Sequence, residues 1–123
     1  MSGPFGARYV GMRRGIRDTT GRADVYVREG PKEYPLPIRL DLFNHSPDGF
    51  NWGYAGSGPA QLALAVLADA LNKTNPEMIR TNNEMAVELH QKFKDEEIAT
   101  IDSASDWAMS RDHVIDWILK AKA

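Results

Sequence analysis

The chain has 123 residues, 42% hydrophobic and 26% charged, which suits one domain with a real core and leaves no case for wholesale disorder. It holds no cysteine, which excludes disulfides, thiolate zinc sites, thiol catalysis and cysteine-bound iron–sulfur clusters. No apolar run approaches the roughly 20 residues of a membrane span and the start has no apolar leader core, so a cytoplasmic, non-membrane protein is expected.

In chain order, residues 1–7 are read as a flexible N-terminus and 8–123 as a single domain. Arg8–Met12 and Ala23–Arg28 are strand candidates, expected to pair as an antiparallel hairpin around a basic loop. Glu29-Gly30-Pro31 breaks the second strand, and Tyr34–Pro37 is extended because proline fixes its own φ and restrains the residue before it. Ile38–Leu42 alternates, with Ile38, Leu40 and Leu42 to one side and Arg39 and Asp41 to the other. It is the predicted third strand, with Pro37 at its start. Residues 43–58 form an irregular connection whose Phe43, Phe50, Trp52 and Tyr54 rings seek burial.

Pro59–Leu71 reads as a helix that is apolar except for Gln61 and Asp69. Apolar over most of its girth, it is a central helix. Gly58 is the expected N-cap, with Ser57 the alternative. A second helix spans about 76–100, started by a Thr74–Glu77 capping box or by Asn75 with Pro76 at the first position. Its inner stripe is Met78, Ile79, Asn82, Met85, Ala86, Leu89, Phe93 and Glu97. After a polar break, Ser110 caps a last helix over 111–121, with Met109 and Val114 as a hydrophobic staple. Val114, Ile115 and Ile118 face inward there, and Trp107 and Trp117 lock this helix to the body. The fold class is α+β: a small antiparallel sheet of about three strands, then two main helices and a short C-terminal helix over one face. An uncovered face or edge of so small a sheet invites a homodimer.

Chemistry is sought first in the loop 44–61. Gly56-Ser57-Gly58-Pro59-Ala60-Gln61 places small residues at a helix start, where unpaired backbone N–H groups and the helix dipole favour an anion. Ser57 and Gln61 add donors, and Asn44, His45, Ser46, Trp52, Tyr54, Gly56 and Gly58 complete the candidate ligand-binding set. The partner would be a phosphate-bearing small ligand or a macromolecule such as a host protein. The plainer reading is a tight corner shaped by Gly53, Gly56 and Gly58. Neither the phosphate-loop pattern nor the dinucleotide fingerprint is present.

A hydrolase or transferase would use Ser57 or Ser46 with His45 and Asp41 or Asp48, but Ser57 lacks the nucleophile-elbow context, and no catalytic residue is assigned. His45, His90 and His113 lack metal-ligand spacing, so no metal and no cofactor are expected. Net charge is −2, yet residues 1–42 carry eight Lys/Arg against five Asp/Glu, and residues 43–123 carry seven against twelve. Arg8, Arg13, Arg14, Arg17 and Arg22 therefore give a third reading, a nucleic-acid-binding segment, against which stands a sequence pI of 5.9.

The block Asn44-His45-Ser46-Pro47-Asp48-Gly49-Phe50-Asn51-Trp52-Gly53-Tyr54-Ala55-Gly56-Ser57-Gly58-Pro59-Ala60-Gln61-Leu62-Ala63 resembles the hallmark N-H-S-P-x-G-F-x-W-G-Y-x-G-S-G-P-A-Q-L-A. That hallmark marks a family of small uncharacterised proteins, classed as a domain of unknown function, from bacteria, archaea and their phages. Tyr9-Val10-Gly11, Phe93-Lys94 and Trp107 match its looser features. The resemblance implies no activity or substrate. It implies an accessory, binding-type product of phages and mobile elements, anti-defence roles included.

Overall fold

The structure is a computed structural model and describes residues 6–13 and 23–123. Four antiparallel strands form one sheet: β1 (Arg8–Arg13), β2 (Ala23–Glu29), β3 (Lys32–Pro35) and β4 (Trp107–Ser110), in the order β3-β2-β1-β4. Three helices accompany it: α1 (Ser57–Thr74), α2 (Ile79–Phe93) and α3 (Arg111–Lys122). The class is α+β as expected, with one strand more. No described helix is long and apolar enough to cross a membrane.

The expected β1–β2 hairpin forms, with Tyr9 opposite Val27 and Gly11 opposite Val25. Strand alternation turns Tyr9, Val25 and Val27 toward the helices, where all three are buried. Val10, Met12 and Tyr26 take the opposite face. Gly30, at φ 60°, lets the chain reverse in two residues, so that Lys32 pairs back onto Glu29.

The third strand is therefore Lys32–Pro35, and the strand expected at Ile38–Leu42 does not form. Arg39 lies at φ 59°, and its carbonyl accepts the N–H groups of Leu42 and Phe43, which closes a turn. Pro35 and Pro37 bracket the approach and can donate nothing to a ladder. The alternation at 38–42 reflects one-sided packing of Leu42 on the core. Among the described residues the fourth strand, β4, pairs with β1 alone, Met109 opposite Tyr9 and Trp107 opposite Gly11.

Residues 58–71 of α1 are all buried, as a central helix requires. Its N-cap is Gly56, with no side-chain cap, rather than Gly58 or Ser57. Pro59 stays inside the first turn, where a missing N–H costs nothing. The second helix breaks into three pieces: a 3-10 turn at Pro76–Met78 with Pro76 first, α2, and a π-helical turn at Lys94–Ile98. Thr74 forms no capping box; its hydroxyl donates to the Ala70 carbonyl (2.7 Å). Met78 and Ile79 are about half exposed at 48% and 55%, while Asn82, Ala86, Leu89 and Phe93 of the expected stripe are buried. Asn82 donates to the Leu71 and Asn75 carbonyls, closing the end of α1. Ser110 caps α3 by accepting the His113 N–H (3.0 Å).

Candidate functional site

The long connection before α1 is pinned from below by Gln61. Its side chain has no exposure. Its amide nitrogen donates to the carbonyls of Ile38 (2.7 Å) and Phe43 (3.0 Å), and its oxygen accepts the N–H groups of His45 (2.8 Å) and Ser46 (3.2 Å). Both donors and both acceptor positions are thereby used. Trp52 is the second anchor. It is fully buried, donates its Nε1–H to the Ser105 carbonyl (3.0 Å), and lies under the Arg13 guanidinium, 4.1 Å from the ring centre. Gly53, at φ 85°, donates to the Ile98 carbonyl, and a side chain there would sit 2.4 Å from the Ser103 backbone.

So held, residues 46–58 face β2 across a groove of about 380 Å³. β3 ends at Pro35, opposite Tyr26, so Ala23–Val25 runs on past it. Among the described residues, the Leu36 N–H on the Val25 carbonyl (3.0 Å) is the contact made on that side. The backbone of Val25 therefore faces the groove side, and with a period of two so does that of Ala23. Tyr26, Phe50 and Tyr54 supply rings to the lining, Asp24 and Asp48 carboxylates, and Ser57 and Gly58 the start of α1.

Of the nine expected ligand-binding residues, Ser46, Tyr54, Ser57 and Gly58 line this groove. The Ser46 hydroxyl is turned to the Gly49 carbonyl (2.8 Å). Gly56 lies against the Tyr54 ring. Trp52 and Gln61 are core, Asn44 is exposed, and His45 points to α2. Phe50, Asn51 and the β2 wall were missed, because nothing local in the sequence says which strand lies opposite the loop.

Of the residues of the hydrolase reading, Ser46, Asp48 and Ser57 line the groove, but His45 and Asp41 do not join them. The His45 ring meets His90, Asp41 is chelated by Arg39, which holds its carboxyl below the usual range, and Ser46 is bonded to backbone. Of the basic segment, Arg14, Arg17 and Arg22 lie outside the described residues. Arg8 is exposed, and Arg13 is tied to the carbonyls of Ser103 and Trp52 as well as the Trp52 ring.

Two polar clusters were not anticipated. Arg111, fully buried, donates to Asp69 (2.8 Å), Glu29 (2.7 Å), the Tyr9 hydroxyl (3.1 Å) and the Tyr34 hydroxyl (3.3 Å). Both tyrosine hydroxyls donate to Asp69 at 2.8 Å. Burial and the Asp69 charge push both phenols up. Burial works against the Arg111 charge, and its bonds to Tyr9, Glu29 and Asp69 outweigh that. Asp69, alone with Gln61 in an apolar helix, was the signal for this cluster.

The second cluster pairs His45 with His90, Nε2 to Nε2 at 2.9 Å. Phe43 stacks on His45, with ring centres 4.2 Å apart. His90 Nδ1 lies 2.6 Å from the Val87 carbonyl. Spacing along the chain could not show this pair, because the fold brings the two rings together across 45 residues.

The profile of a family of unknown function (DUF6166) matches residues 9–120, and the chain belongs to that family. No curated protein and no solved structure matches it.

Proposed function

From membership of a family to which no activity is attached, we propose that the chain is a binding protein that takes an extended segment of a protein partner into the groove between β2 and residues 46–58. The observation that carries this reading is the half of β2 left beyond the end of β3, facing an aromatic-lined loop. An added strand gains main-chain hydrogen bonds from Ala23, beyond the Leu36 bond to the Val25 carbonyl, and its alternate side chains meet Tyr26, Phe50 and Tyr54. A volume of about 380 Å³ holds two or three side chains. Asp48 favours a basic or neutral segment over a phosphate. Capture of a host protein is the role this suits in an accessory product of a phage or mobile element.

The test is panning of a random displayed-peptide library on the wild-type protein. Recovered sequences should alternate apolar residues with Lys or Arg. Their affinity should fall about ten-fold in Asp48→Lys and in Tyr54→Ala, the loss of one groove contact of about 1.4 kcal/mol. Sequences that bind these variants as well as wild type overturn the reading. A phosphorylated compound released from the purified protein at near-stoichiometric level would give the groove to an anion instead.

A further inference from the structure

We propose that His45 and His90 form a two-imidazole site for a late first-row divalent cation, Cu2+ or Ni2+. The site lies apart from the groove and does not depend on the peptide reading.

The geometry is that of a metal-ready pair. The Nδ1–H of His90 donates to the Val87 carbonyl, which leaves Nε2 with its lone pair, and that atom faces Nε2 of His45 at 2.9 Å. A backbone carbonyl on the far nitrogen is the usual support of a ligating histidine, because it fixes both tautomer and ring direction. Metal–imidazole bonds of about 2.0 Å spanning that separation subtend roughly 90° at the ion. This is the cis angle of tetragonal Cu2+ or Ni2+ rather than the wider tetrahedral angle of Zn2+. Phe43, itself 48% exposed, stacks on His45 and holds the ring in plane. His90 is buried, at 4% exposure, and His45 is half-buried, so solvent reaches the pair from the His45 side.

Among the described residues no group of three metal-ligating side chains exists, so the protein supplies two ligands and water the rest. Without metal, the 2.9 Å contact is an N–H···N bond with the proton on Nε2 of His45. Binding moves that proton to Nδ1 of the same ring, where no described residue competes for it. Both imidazoles are neutral before and after, so no net proton is released above their titration range. Lys94, paired with Asp95 at 3.2 Å, is a cation close enough to lower both rings, and it opposes the metal.

The experiment is calorimetric titration of untagged protein with CuCl2 and with NiCl2 at about pH 7.5, above the ordinary histidine range. One equivalent should bind. His45→Ala should weaken it about ten-fold or more, Lys94→Gln should tighten it, and His113→Ala, at the surface histidine, should leave it unchanged. The Cu2+ complex should show two nitrogen couplings in its paramagnetic resonance spectrum, and binding should fade in acid. No binding at millimolar metal, affinity retained by a folded His45→Ala, or affinity lost with His113→Ala would each overturn the site. The contact would then be a hydrogen bond between neutral rings and nothing more.

Discussion

The guanidinium of Arg111 bridges two carboxylates on different elements, Glu29 at the end of β2 and Asp69 on α1, and caps two phenols as well. Removing it strands Asp69 in the core with its charge unbalanced. Arg111→Ala should therefore cost about 3–5 kcal/mol in urea unfolding, far more than loss of a surface ion pair such as Arg80–Glu84. The histidine pair makes a pH-dependent contribution. Burial holds both imidazoles below their ordinary value, helped by the Lys94 charge at His45 and, against the Val87 bond, by His45 and then Lys94 at His90. The unfolded chain therefore takes up protons first on acidification. The stability from the pair is complete above about pH 6.5 and is lost as pH falls through the lowered folded values. The urea midpoint of wild type should drop more than that of His45→Ala between about pH 7 and pH 5, and equal drops would remove the pair from the account.

At the scale of elements, the hairpin, the central helix and the capped last helix could be read from alternation, girth and Ser110, because each signal is local. β4 could not. Among the described residues it pairs only with β1, and Trp107 reaches its place because Gly11 has no side chain. A Cβ at Gly11 would sit 2.1 Å from Trp107 Nε1, itself buried without a hydrogen-bond partner. Gly11→Ala should shift the indole, loosen β4 and cost about 1–3 kcal/mol, read as a fall of several degrees in Tm. The misplaced third strand has the same kind of cause. Gln61 takes the carbonyls of Ile38 and Phe43 that a sheet would have used, and no periodicity along 38–42 can report a side chain two elements away.

For the molecule as a whole, the sequence located the loop but not its function in the fold. Gly56, Ser57 and Gly58 marked the helix start, yet Gln61 and Trp52 turned out to be the fasteners that shape the groove rather than its lining. A close-packed loop gives its polar residues to its own backbone, and which remain outward is decided by distant partners such as Ser103, Ser105 and Ile98. The bonds of Arg111 to Asp69, Glu29, Tyr9 and Tyr34 carry one more consequence. During synthesis the first strands and the central helix leave the ribosome long before the cation that neutralises them. The nascent chain must carry the Asp69 carboxylate on its most apolar helix without its guanidinium partner until α3 emerges. Completion of the domain is thus deferred until α3 has emerged, and a chain that stops short of α3 leaves the Asp69 charge without its cation.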